Sequence, residues 1–144
     1  MNRIICLLLM WYAFIPFANA GETDARTVIE LSPAHRALVL NEMRQFLSGL
    51  QQITAALSRD DMDAVTQAAR GLGIAMTRDV PADLKQALPQ GFRKLGHQVH
   101  SQFDQIALDA ESLGDSDHAL SQLGNTLTQC VACHNSYQIR LVNQ

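Results

Sequence analysis

Two thiols and an imidazole stand together at Cys130, Cys133 and His134, in the run Cys-Val-Ala-Cys-His. On a helix, residues at i, i+3 and i+4 share one face, so all three side chains point into the same space. Two thiols so placed can add to the two vinyl groups of one porphyrin, and the adjacent imidazole then reaches the iron through a neutral nitrogen. The spacing therefore predicts one covalent haem c, held through Cys130 and Cys133, with His134 as the proximal iron ligand.

Other readings of the pair do poorly. A disulfide between such near neighbours closes a very small loop and constrains little of the unfolded chain. A thioredoxin-like pair wants a preceding strand and a helix N-terminus that lowers the first thiol's pKa, whereas this pair lies deep in a helical pattern. A structural zinc site needs four ligands. No second cysteine pair exists, and His35, His97, His100 and His118 are scattered.

The third cysteine, Cys6, falls in an N-terminal segment with a different job. Arg3 gives a positive start, Ile4 to Phe17 is almost wholly apolar, and Ala18-Asn19-Ala20 is a small-x-small cleavage signature. Residues 1–20 are expected to be a signal peptide and residues 21–144 the domain. The apolar run is shorter than the roughly 20 residues a spanning helix needs and contains Pro16. No stable membrane insertion is therefore expected after cleavage, and the expected location is the periplasm. The formal charge of −3 becomes slightly more negative once Arg3 is lost. That mild acidity, with no basic cluster, argues against nucleic acid as a partner and is compatible with periplasmic redox partner proteins.

From Ser32 onward the pattern is helical. Ser32-Pro33 is a helix start, with Ser as N-cap and Pro in the first turn. Leu40, Met43, Leu47 and Leu50 recur at spacings of three and four, giving a first helix to about Leu57. Ser58 to Asp61 breaks it and caps a second helix carrying Met62, Val65, Ala69, Leu72 and Met76, which Val80-Pro81 ends. Gly71 and Gly73 mark either a close backbone approach or a weak helix end. Residues 81–89 form a linker with one helical turn. Phe92, Leu95, Val99, Phe103, Ile106, Ala110 and Leu113 make the clearest seam, a third helix with Gly114 beyond its end. Asp115 or Ser116 caps a fourth helix, on which Leu120, Leu123, Leu127, Cys130, His134 and Tyr137/Gln138 share one stripe. No segment alternates like a strand. The expected fold class is all-α, an antiparallel four-helix bundle with the haem near the C-terminal helix.

A four-helix chain with Cys130–His134 on its last helix resembles the cytochrome c′ family, the class II c-type cytochromes. Asn135-Ser136-Tyr137 fits the residues that follow the motif there, while Gln138 stands where the family carries Arg or Lys. High-spin members leave the distal iron face open to small gases; low-spin ones ligate it with a Met from the first helix. Met43, mid-stripe on that helix and ahead of Arg59 near its end, resembles the distal position. The resemblance thus implies Met43 as the distal iron ligand, and Met/His ligation raises the reduction potential.

Leu40, one turn earlier, would be the blocker of an open site. Met62 and Met76 read as packing. His100, beside the seam at Val99, reads as either an approach to the haem edge or, in preference, a surface histidine with Asp104 as partner, and Arg36 and Arg44 as either propionate partners or solvated cations. No acid/base or nucleophile constellation is present, so no enzyme is expected. The leading expectation is a periplasmic one-electron carrier; the alternative is a five-coordinate protein binding nitric oxide or carbon monoxide. An apolar surplus on the first two helices fits a homodimer.

Overall fold

The structure, a computed structural model, describes residues 24–142. The expected signal peptide, with Cys6, lies outside the described residues.

The helix boundaries follow from local chemistry. Helix α1 (Pro33–Leu57) starts where the Ser32 hydroxyl accepts the His35 N–H at 3.2 Å. Pro33 fills the first turn, where no N–H is needed. Beyond α1, Asp60 takes a left-handed backbone with φ 56°. Asp61 then caps α2 (Met62–Gly71) by accepting the Ala64 N–H at 3.0 Å. The expected second helix continued to Val80, but the α-helix stops at Gly71 and a 3-10 turn, Ile74–Thr77, follows. The cause comes from across the fold: Asp104 Oδ2 accepts the Ile74 N–H at 2.9 Å. A β-carbon at Gly73 would collide with that carboxylate. Gly73, two residues past the helix end, is thus a close approach.

A short helix, α3 (Ala82–Ala87), occupies the linker. Helix α4 (Gln90–Leu113) buries Val99, Phe103, Ile106 and Ala110 of its seam and ends at Gly114, which is left-handed at φ 63°. Leu113, the last residue of the expected seam, is exposed. Asp115 caps α5 (Ser116–Ser136) by accepting the His118 N–H at 3.0 Å. The main core lies where α1, α2, α4 and α5 meet. Ile53, Val65, Phe103 and Ile106 are wholly buried there, each contributing roughly 1.5–3 kcal/mol.

The expectation that no segment forms a strand is corrected. Strands β1 (Thr27–Leu31) and β2 (Tyr137–Leu141) pair in parallel, Thr27 opposite Tyr137 and Leu31 opposite Leu141. Helix α5 therefore ends at Ser136, and Tyr137 and Gln138 leave the helical stripe expected to hold them. In β1 the alternation lasts only five residues: Ile29 and Leu31 are buried while Val28 and Glu30 face outward. The partner comes from the far end of the chain. With Val39 and Leu84 the strands enclose a second, smaller core. Tyr137 sets its ring edge-on to Phe92 at 5.5 Å, tying β2 to the start of α4. Among the described residues the fold is thus mostly helical, but with five α-helices rather than four and a two-stranded sheet.

Candidate functional site

A cavity of about 310 Å³ lies between α1, α4 and α5. Helix α5 contributes Cys130, Cys133 and His134 to its wall. Helix α1 contributes Met43, with Glu42, Phe46, Leu47 and Leu50 around it. Helix α4 closes the third side with Phe92, Leu95, Gly96 and Val99. All four residues singled out as haem-binding in the sequence therefore line one space. The three-and-four spacing explains this: Cys130, Cys133 and His134 share a face of α5, while Met43, Phe46 and Leu50 do the same on α1.

Gly96 bears on what the cavity holds. It sits inside α4, where glycine costs about 1 kcal/mol relative to alanine. A β-carbon there would meet no protein atom within 4 Å. Nothing in the polypeptide requires a glycine at this point. Its absent side chain instead leaves room in the cavity wall for a flat group to lie close to the α4 backbone.

Both cysteines are free and half-buried. Burial pushes the Cys130 thiol up, and it pushes Cys133 up as well, with the neighbouring Cys130 adding to the effect. The pair therefore stays as thiols and lacks the lowered pKa of a redox-active Cys-x-x-Cys. No group of three or more His, Cys, Asp or Glu side chains gathers to hold a bare metal ion among the described residues. The set of two thiols and one imidazole on an apolar cavity instead fits haem c, whose macrocycle supplies the other iron ligands. His134 stands in the last turn of α5. Its carbonyl accepts from Arg26 Nη1 at 3.3 Å, a link from the segment leading into β1.

His100 is not the surface histidine expected. It is 2 % exposed. Its Nδ1 donates to the Leu72 carbonyl at 2.7 Å and its Nε2 to Glu42 Oε1 at 3.0 Å. Burial disfavours the charged ring, but the bonds to Glu42 and Leu72, with the charges of Glu42 and Asp104, outweigh it and raise the His100 pKa. Asp104 is bonded to Ile74 rather than to His100. The sequence hid this because both partners of His100 lie far from it along the chain.

The remaining candidates lie elsewhere. Neither Arg36 nor Arg44 lines the cavity; Arg44 is exposed, and Arg36 borders a groove beside Arg140 and the strands. Leu40 is half-buried and also off the cavity wall, where Phe46 and Leu47 stand instead. Met62 and Met76 pack against the main core. The sequence reading missed Glu42, Phe46 and Gly96 as wall residues. Gly96 alone carried a local signal, as an isolated glycine within a strongly periodic helix.

Compared with protein-family models, with curated proteins and with solved structures, the chain matches none.

Proposed function

We propose that the protein is a periplasmic c-type cytochrome of the cytochrome c′ kind. It would carry one covalent haem c, pass single electrons between partner proteins, and be built on a four-helix bundle formed by α1, α2, α4 and α5. The observation that carries this reading is the shared cavity: the thiols of Cys130 and Cys133 and the imidazole of His134 on one wall, Met43 on another, and an unfilled cleft at Gly96. Haem c, when bound, supplies the one-electron iron couple.

The chain's own part is to hold and shield it. Cys130 and Cys133 would hold the group covalently, each thiol adding its S–H across one vinyl double bond, sulfur to one carbon and hydrogen to the other. His134 would hold the iron through an imidazole nitrogen and Met43 through its thioether. Phe46, Leu50, Leu95 and Val99 line the cavity and would exclude water from it, which would limit the reorganisation that accompanies electron transfer. The N-terminal leader would direct the chain to export.

The test is the absorption spectrum of protein produced with haem-attachment machinery. Haem that stays with the polypeptide after denaturation, and is lost in Cys130→Ala/Cys133→Ala, supports attachment; haem freely extracted from the native sequence refutes it. A low-spin spectrum that Met43→Ala converts to high spin supports six-coordination. Immediate carbon monoxide binding by the reduced protein would overturn it in favour of a gas-binding protein.

A further inference from the structure

We propose that His100 and Glu42 are positioning residues for Met43: the bond between buried His100 and half-buried Glu42 fixes the rotation of α1 beside the cavity and so keeps the Met43 thioether turned into it. The proposal rests on the haem reading above. His100 joins three helices at one ring. Its own backbone belongs to α4, its Nδ1–H is bonded to the carbonyl of Leu72 at the end of α2, and its Nε2–H to Glu42 on α1. A carbonyl and a carboxylate only accept, so the ring must carry both protons and the contact to Glu42 is charge-assisted.

Glu42 immediately precedes Met43, and Phe46, one turn on, rests on the same imidazole at 5.1 Å between ring centroids. Phe46 also stacks on Phe103 at 5.7 Å. Met43 is therefore bracketed by two residues that both grip His100. The bracket has a purpose that packing alone would not serve. Methionine has three rotatable bonds and adapts to irregular gaps, so its direction is set by the backbone beneath it. Apolar contacts are non-directional and tolerate a small rotation of one helix about its axis. A charged hydrogen bond from a buried ring does not, because rotation would leave the His100 charge in the core without its partner. Replacing such a pair by apolar side chains is often neutral for stability, so the ion pair is explained better by specificity than by strength.

The test uses the full-length, haem-loaded protein. The double variant Glu42→Leu/His100→Leu removes both charges together and leaves no orphaned ion. Glu42→Gln keeps an acceptor oxygen for Nε2–H. The readouts are the visible spectrum and the affinity of the reduced protein for carbon monoxide. This gas must displace the methionine, so its apparent affinity scales with the fraction of molecules whose distal position is open.

The expected result is a low-spin wild type, a Glu42→Gln spectrum close to it, and a double variant, helical and haem-loaded, that binds carbon monoxide about tenfold or more tightly. A folded double variant with wild-type spectrum and affinity overturns the proposal, since a merely structural pair would move only the denaturation midpoint. Should the double variant not accumulate, Glu42→Leu alone leaves His100 able to shed one proton and keep its Leu72 bond, and the same comparison applies. A wild type that is already high-spin and binds carbon monoxide at once overturns the six-coordinate reading and this proposal together. That outcome is recognised in the wild type, without any variant.

Discussion

Replacing Gly49 by alanine sets two effects of known size against each other. The new β-carbon would fall 2.5 Å from Leu72 Cδ1, 2.8 Å from Cγ and 2.9 Å from Cδ2, where ordinary carbon contacts lie at about 3.5–4.0 Å. Rotating the Leu72 methyls moves the two Cδ atoms but leaves Cγ in place, so relief requires moving the whole side chain or the end of α2. Leu72 is 4 % exposed, and its carbonyl is held by His100, which restrains both. Overpacking of this kind costs typically about 1–3 kcal/mol. Alanine recovers about 1 kcal/mol of helix propensity inside α1. With Leu72 pinned, the expected net is a destabilisation of about 1–2 kcal/mol. The assay is urea unfolding of the full-length protein followed by far-ultraviolet circular dichroism, where this loss lowers the midpoint by about 0.5–1 M. Gly124→Ala is the control: it lies on the exposed side of α5, and its β-carbon would meet nothing within 4 Å. The same propensity gain should there raise stability by up to about 1 kcal/mol. A Gly49→Ala midpoint at or above wild type, beside a raised Gly124→Ala, would refute the reasoning.

Three further outcomes are expected. Gly96→Leu should leave the haem-free chain as helical as wild type and up to about 1 kcal/mol more stable, yet lose most covalently attached haem; full loading on a denaturing gel stained for haem would contradict the cavity argument. Phe103→Ala, at a wholly buried site, should cost about 3–5 kcal/mol in urea unfolding, and a loss below about 1 kcal/mol would show that α4 does not anchor the core. His100 faces the Glu42 carboxylate, Asp104, the Leu72 carbonyl and the Phe46 ring, and its folded pKa lies above the ordinary 6.5. Its contribution is therefore full below about 6.5 and lost as pH rises through the raised value, so wild type should lose stability relative to Glu42→Leu/His100→Leu in that window; parallel curves from acid to alkaline pH would contradict it.

Sequence patterning served best where one element carried its own signals. Ser32-Pro33 and Asp115 marked true helix starts, Gly114 a true end, and the seam from Phe92 to Ala110 the face that α4 buries. The meeting of Cys130, Cys133, His134 and Met43 in one cavity was legible too, since each sits on the predictable face of a long helix. What stayed hidden depends on distant partners. Asp104, on another helix, holds the 3-10 turn that follows the helix end at Gly71, His100 is buried because Leu72 and Glu42 satisfy it, and five residues of alternation at Thr27–Leu31 become a strand only because Tyr137–Leu141 lies alongside. Local propensity carries no information on such pairings.

The two-stranded sheet also imposes an order on folding. Gln138 reaches the Arg26 carbonyl across 112 positions of sequence. Closing a loop of that length in an unfolded chain costs about 4 kcal/mol of entropy, which a five-residue ladder with exposed ends is poorly placed to repay on its own. Contacts between neighbouring helices close far shorter loops and should form first, drawing the strands together at little further cost. The sheet then joins last and, on the way out, opens first. The end of α5 that leads into β2 should therefore be the last part of the helix to be held in place.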